Sequence, residues 1–399
     1  MKVAQVLIQS TPPFSDFQID LTYPEGHAKA GQALDKVCLI GPNGAGKSSL
    51  MKLVSEYLRN TLRFKSKSLF LVKLQLRDRF IYSVHINNNA LLLRQEIDQE
   101  PMWMFELIRD GAFTMAFNKN YEQYCIGHEE EPALYDELWF DNNSDDVVVF
   151  QPADFARDRT IGLTDVPPTK SHEAESLGTT FPFFNEISPD KTTEFWAMLI
   201  FLIHQRERAY REFADTPQHR GKPEQVTKHL FEETYPEILP SLAKVWAPIL
   251  GHLGLVADVE HAGLPANLRD KLILHLKHQQ HGQRIEYGDL GTGLRRLLFN
   301  IGHTWALFFH RSIQHGFCLL EEPEAGLHPG FVREIIPQYQ AIVQGSQLFV
   351  STHNPVIASA FEPAERLILE RDAKGVVTVR RSTCPEGADL AKIMESDFA

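Results

Sequence analysis

The sequence predicts an α/β protein organised around a phosphate-binding loop, and three stretches carry that prediction. Gly41 to Ser49 read GPNGAGKSS, with Gly41, Gly46, Lys47 and Ser48 at the spacing G-x-x-x-x-G-K-[ST]. Phe317 to Pro329 read FCLLEEPEAGLHP, an apolar run that ends in two carboxylates. Leu348 to Pro355 read LFVSTHNP, an apolar run that ends in a histidine.

The loop has the setting it needs. Val37-Cys38-Leu39-Ile40 is short, apolar and strand-like, and Leu50-Met51-Lys52-Leu53-Val54 reads as a helix. Between them, small residues let backbone N–H groups turn inward around phosphates, and the helix N-terminus favours negative charge. Asn43, Gly44, Ala45, Gly46, Lys47, Ser48 and Ser49 are therefore the candidates to hold a nucleoside triphosphate. Lys47 is expected to reach the β and γ phosphates, and the Ser48 hydroxyl to ligate Mg2+.

A carboxylate at the end of a buried strand beside such a loop can hold Mg2+ through water. The next carboxylate can orient or deprotonate the attacking water. Glu321 is assigned to the metal and Glu322 to the water. His353 follows its strand shortly afterwards and is placed to touch the γ-phosphate. A fourth stretch, Tyr287 to Leu298, reads YGDLGTGLRRLL. There Gly291-Thr292-Gly293 precede a helix with Arg295 and Arg296, a second phosphate-facing device.

The other elements follow in order. Val3–Ile8 and Phe17–Leu21 read as strands. Leu69–Leu76 and Phe80–Ile86 read as a hairpin around Arg77-Asp78-Arg79. Asp145–Phe150 is a further strand, ending at Gln151-Pro152. From Ser188 to Leu253 the pattern is helical, with Asp190 as a candidate cap and a loop near Thr216–Pro223. Strands return at Leu272–Leu276, Phe317–Leu320, Leu348–Ser351 and Arg366–Leu369. The stretch from Lys47 to Glu322 is far longer than a compact nucleotide domain requires, so something large is inserted.

Composition sets outer limits. The chain has 399 residues, 43% hydrophobic and 23% charged, which is ordinary for a globular protein. A net charge of −12 argues against a wholly basic nucleic-acid binder but leaves room for a local basic groove. Cys38, Cys125, Cys318 and Cys384 are scattered without CxxC spacing and read as reduced residues of a cytoplasmic protein. MKVAQVLIQSTPPF lacks the apolar core of a secretory signal. The longest apolar run, FWAMLIFLI at Phe195–Ile203, is too short for a bilayer and reads as a buried helix. The cluster His204-Gln205-Arg206-Glu207-Arg208 with Arg211 reads as a solvated helix face or as phosphate contacts to DNA. His275, His278 and His281 are spaced three apart; as strand and turn they would not share a face, and a metal site is the other reading.

Together these segments resemble the ATP-binding cassette (ABC) ATPases. Within them they are similar to the branch holding the RecF, Rad50 and SMC proteins and the OLD-family and Septu-type phage-defence ATPases. GPNGAGKSS resembles the Walker A motif, and CLLEEPEAGLHP the Walker B motif and D-loop of the defence ATPases. STHNP resembles their switch-histidine motif, and DLGTGLRRLL their signature segment. The likeness covers about 1–64 and 287–379. Two positions depart from the pattern. Glu321 stands where most cassettes have aspartate, and Leu290-Gly291-Thr292-Gly293 stands for Leu-Ser-Gly-Gly.

The resemblance implies an α/β P-loop NTPase fold, an ABC-ATPase head with an antiparallel β lobe and a helical insertion. Residues 1–160 would carry the N-terminal half of the head, 161–284 a mainly helical insertion, and 285–399 the C-terminal half. It implies ATP and Mg2+ as cofactors, with Ser48, Gln151 and Glu321 on the metal side and Glu322 and His353 as catalytic residues. Gln151 would be the glutamine linking the site to the insertion; a polar strand end is its other reading. Gly291, Thr292 and Gly293 would complete a partner's site in an ATP-dependent, head-to-tail homodimer. The segment after His353 leaves no room for the Toprim nuclease of OLD proteins. The expectation is therefore an ATPase switch controlling a separate nuclease or toxin from the same operon, in bacterial anti-phage defence, without a membrane. A RecF-like DNA-repair ATPase that binds DNA is the alternative.

Overall fold

The computed structural model describes residues 1–76, 79–86, 89–94, 132, 138, 147–153, 183–188, 192–263, 273–286, 289–311, 315–385 and 389–398. The Arg77-Asp78 turn, the Asp190 cap, Cys125, Asp145, Leu272 and Tyr287 lie outside them. The chain divides into two compact units. The first comprises Met1–Phe150, Gln314–Glu322 and Val343–Ala399; the second comprises Gln151–Ile313 and Pro323–Ile342. Each is built from separated stretches of chain.

The first unit contains a five-stranded antiparallel sheet in the order β2-β1-β4-β5-β6. Its strands are β1 (Lys2–Thr11), β2 (Phe14–Asp20), β4 (Phe70–Leu76), β5 (Arg79–Ile86) and β6 (Asn89–Arg94). β2 shows why an antiparallel strand forms here: Phe14, Phe17 and Ile19 turn inward while Ser15, Asp16 and Gln18 stay in water. On β5, Ser83 and His85 face the interior beside Tyr57, and the His85 Nδ1 bonds the Phe64 carbonyl at 3.0 Å.

The same unit contains a largely parallel sheet. β3 (Lys36–Ile40) lies between β13 (Gln347–Thr352) and β14 (Arg366–Arg371) and is parallel to both. β12 (Gly316–Glu321) runs parallel to β13, β7 (Val147–Gln151) follows beyond it, and β15 (Val377–Arg381) returns antiparallel on β14. KVCLI, GFCLLE and QLFVST are almost wholly buried, as strands covered on both faces must be. Gln347 is itself fully buried and satisfied. Its Nε2 donates to the Val3 and Leu34 carbonyls at 2.8 and 2.9 Å, and its Oε1 accepts from the Val3 amide at 2.7 Å. Helix α1 (Lys47–Arg59) packs on β12 and β13 with Leu50, Met51, Val54 and Leu58 inward. Cys38, Cys318 and Cys384 are buried and form no disulfide.

The second unit holds the short strand β8 (Phe184–Glu186) and the helices α2 (Thr192–Ala214), α3 (Glu224–Thr234), α4 (Ile238–Gly251), α5 (Thr292–Arg311) and α6 (Pro329–Ile342). FWAMLIFLI lies on α2, and its residues are mostly buried. α4 and α5 approach closely. Trp246 Nε1 donates to the Leu298 carbonyl at 2.9 Å, and a Cβ on Gly302 would stand 3.1 Å from the Trp246 ring. A three-stranded antiparallel sheet completes the unit, in the order β11-β10-β9. Its strands are β9 (Leu255–Gly263), β10 (Ile273–His278) and β11 (Arg284–Ile285), so the stretch expected to be mainly helical also carries a β ribbon. Among the described residues, no helix is long and apolar enough to cross a membrane.

Candidate nucleotide site

The phosphate-binding loop follows β3 and opens α1. Gly41, Gly44 and Gly46 have φ of 150°, 80° and 97°, a region that residues with a Cβ rarely occupy. Gly41 is held by proximity as well, because a Cβ there would stand 2.2 Å from the Leu369 carbonyl oxygen. No side chain caps the α1 N-terminus, which leaves that end of the helix to an anion. Asn43, Gly44, Ser48 and Ser49 are exposed, Gly46 is half-buried, and Ala45 and Lys47 are buried.

Lys47 bends back into the loop. Its Nζ donates to the Gly41 carbonyl at 2.8 Å and the Pro42 carbonyl at 3.2 Å, and lies 3.2 Å from His353 Nε2. A buried ammonium held by carbonyls at the mouth of a glycine loop is poised for a phosphate. That exchange would replace neutral acceptors with charged ones.

The sheet brings the carboxylates and the histidine to the same edge. Glu321 pairs in register with Ser351 on β13, Ser351 with Leu39 on β3, and Thr352 with Ile40. The carboxyl ends of β3, β13 and β12 therefore finish together, which is where open α/β sheets bind ligands. Glu321 is 7% exposed. Glu322 follows with a φ of 43°, a left-handed conformation costing a non-glycine residue of the order of 1 kcal/mol. Its amide donates to the Ser351 carbonyl at 2.9 Å, so the ladder with β13 continues through the turn. Its Oε1 stands 3.0 Å from His353 Nε2.

Hence Lys47, Glu322 and His353 meet around one ring nitrogen, drawn from three distant parts of the chain. With a proton on Nε2 the histidine donates to Glu322; without it, the nitrogen accepts from Lys47. The hydroxyl of Ser48 and the carboxylate of Glu321 are hard oxygen donors of the kind Mg2+ prefers, and Mg2+ beside a nucleotide needs only one or two protein ligands. The loop, its uncapped helix and this donor set fit Mg2+ and a triphosphate.

A family model described as an AAA ATPase domain matches residues 185–358. That stretch includes Gly291–Gly293, Glu321-Glu322 and His353 and leaves the phosphate-binding loop outside. Among solved structures, the chain is similar to an SMC head bound to the C-winged helix domain of ScpA. The identity is 10%, the TM-score 0.51, and the match covers 96% of this chain and 98% of that one. The fold is that of a P-loop ATPase. Two further SMC heads also match. One is from Thermotoga maritima (9% identity, 96% and 99% of the two chains, TM-score 0.43). The other carries an extended coiled coil and is bound to the C-terminal domain of ScpA derived from Pyrococcus furiosus (11%, 99% and 98%, TM-score 0.45).

The remaining sequence candidates of this P-loop ATPase fold belong to the second unit. Gln151, at the end of β7, is buried with both ends of its amide bonded. Tyr339 donates to its Oε1 at 2.7 Å, and its Nε2 donates to Thr304 Oγ1 at 2.9 Å and the Asn300 carbonyl at 3.4 Å. Gly291, Thr292 and Gly293 open α5 and line a cavity of about 700 Å³ with Leu253, His278 and His328. Gly293 is pressed against the turn at 323–326: a Cβ there would meet the Gly326 carbonyl oxygen at 2.1 Å. On α2, Arg206 donates to the Tyr235 carbonyl and lies over the Phe231 ring, and Arg208 pairs with Glu212. Arg208 lies in solvent as a solvated face requires, whereas Arg206 is largely covered by α3, so the cluster is not one solvated face. His275 and His278 lie on β10, and the His278 and His281 rings stack at 4.8 Å, so the turn brings together two histidines that the strand-and-turn reading kept apart.

Sequence reasoning missed the partners. Tyr339 and Thr304 close around Gln151, and Arg371 reaches the loop at Gly44. None of these belongs to a spacing pattern, because each is set by how helices and strands cross.

Proposed function

We propose that the chain binds and hydrolyses ATP with Mg2+ and uses the nucleotide state as a switch acting on a separate effector. The observation that carries the reading is the meeting of Lys47, Glu322 and His353 at the carboxyl edge of the parallel sheet. In this reading the loop amides and Lys47 hold the phosphates, and Ser48 and Glu321 hold Mg2+. Glu322 positions the attacking water, and His353 reports the γ-phosphate. Bound ATP would displace the Lys47–His353 contact, so the histidine can register whether the γ-phosphate is present.

Gly291, Thr292 and Gly293 would complete the site of a second copy, giving a homodimer with two nucleotides between its heads. The partner is a nuclease or toxin, in a setting of bacterial anti-phage defence, and the protein works in the cytoplasm. Support for a protein partner comes from the similar SMC head, whose structure was solved with a partner domain bound.

The test is co-purification from the native operon with ATP and Mg2+, comparing wild type with Glu322→Gln. A second polypeptide whose retention changes with the substitution supports the switch. A lone dimer that retains DNA at low salt would replace it with the DNA-repair reading. Absence of phosphate release by the wild type, with and without DNA, sinks both.

A further inference from the structure

The β14–β15 hairpin grips the phosphate-binding loop at each of its three glycines. The Leu369 carbonyl oxygen would be 2.2 Å from a Cβ on Gly41, and the Val377 Cγ2 3.3 Å from one on Gly46. Between these two contacts, Arg371 Nε donates to the Gly44 carbonyl at 2.8 Å. The guanidinium is itself anchored, because Nη1 donates to the Gly375 carbonyl at 2.6 Å. The hairpin turn is closed by Asp372, whose Oδ1 accepts from the Lys374 and Val376 amides at 2.8 and 2.9 Å.

The bond to Gly44 matters because of what its peptide does. The Gly44 carbonyl and the Ala45 amide belong to one plane and point in opposite directions. The Ala45 amide donates to the Pro42 carbonyl at 3.1 Å. The plane is therefore pinned at both ends, on one side within the loop and on the other by a cation. Gly44 has no Cβ, and nothing lies within 4 Å of where one would be. Without Arg371, the carbonyl end of this peptide loses the bond that opposes its rotation. A rotated carbonyl would face an incoming anion, while the bonded one is turned to a guanidinium.

We infer that Arg371 is a nucleotide-positioning residue, which fixes the Gly44 corner of the loop and thereby sets the affinity for the phosphates. The inference rests on the proposed reading of the loop as an ATP site. It concerns the phosphates common to ATP and ADP, since Gly44 belongs to the loop, whereas the roles at the γ-phosphate are assigned to Glu322 and His353. Arg371 is exposed, so its removal leaves no buried hole.

The experiment is titration of the full chain with fluorescent ATP and ADP analogues. It compares wild type, Arg371→Ala, Arg371→Lys and Lys47→Ala, with thermal midpoints taken without nucleotide. Arg371→Ala is expected to weaken both nucleotides alike, by about tenfold, from the loss of one charge-assisted bond. Its nucleotide-free midpoint should stay within about 2 °C of wild type. Arg371→Lys should restore part of the affinity, because one donor and the charge remain. Wild-type affinity in Arg371→Ala, beside weak binding in Lys47→Ala, overturns the inference and leaves the ATP site standing. A fall in midpoint without nucleotide, with affinity unchanged, assigns Arg371 to stability alone and also overturns it. If the wild type binds neither analogue, the ATP reading falls and the inference with it.

Discussion

His353 Nε2 stands 3.0 Å from Glu322 Oε1, joining the residue just beyond β13 to the one just beyond β12. The same nitrogen lies 3.2 Å from Lys47 Nζ. One nitrogen cannot donate to a carboxylate and accept from an ammonium at once, so the histidine has two alternative partners.

Glu322→Gln keeps the shape of that side chain and removes its basicity. Phosphate release should fall by about 10²-fold or more, the usual contribution of a positioned base, while ATP stays bound. Single-turnover release and filter retention of labelled ATP separate the two effects. Equal loss of both would assign Glu322 to binding.

Lys47→Ala removes a buried ammonium that bonds the Gly41 and Pro42 carbonyls. ATP should then raise the thermal midpoint much less than it does in the wild type. Differential scanning across a range of ATP concentrations reads this directly, since stabilisation follows ligand concentration over Kd. An undiminished shift would place ATP elsewhere.

The part of this site written in one run of chain was legible in the sequence. GPNGAGKSS, the Glu321-Glu322 pair and His353 each end an apolar strand, and each strand lies within a residue or so of its expected place. β6, β8, β9, β11 and β15 were not anticipated. VTVRR in β15 is short and polar on one side, and β11 is only two residues long, so neither shows a period. Gln151 was found as a polar residue closing an apolar strand. That Tyr339 and Thr304 would enclose it depends on the packing of α5 and α6, which no local pattern encodes.

Tyr339→Phe tests that enclosure. Tyr339 is 1% exposed, and its hydroxyl is the donor 2.7 Å from Gln151 Oε1. Its loss strands a buried acceptor and should cost about 1–3 kcal/mol. A lower urea midpoint with an unchanged m-value is the expected result.

Gly293→Ala places a methyl group 2.1 Å from the Gly326 carbonyl oxygen, a backbone atom that cannot swing aside. A loss of about 1–3 kcal/mol is expected from overpacking. Gly291→Ala is the control, since nothing lies within 4 Å of its Cβ position. Similar denaturation curves for the two variants would show that the α5 start can move away.

Stability should also fall in mild acid. Burial lowers the His85 pKa from 6.5 to about 4, only partly offset by its bond to the Phe64 carbonyl. The folded state thus keeps His85 neutral while the unfolded chain takes up a proton below about pH 6.5. The contribution is complete above that pH and is lost as pH falls towards about 4, amounting to about 3 kcal/mol. His85→Asn keeps an N–H for Phe64 and does not titrate. Chemical denaturation of both proteins from pH 7 to pH 4.5 should show their stabilities converging.

The position of β3 between β13 and β14 has a consequence for the order in which the protein is made. The strand bearing the loop is synthesised before both of its sheet neighbours, which come from the segment after Val343. A nascent chain that has released GPNGAGKSS from the ribosome still lacks the strands that flank it. It also lacks His353 and the Gly44 brace at Arg371. Interrupted translation would therefore yield products with an intact loop and little hold on ATP, so that nucleotide retention marks a chain whose synthesis has passed β14.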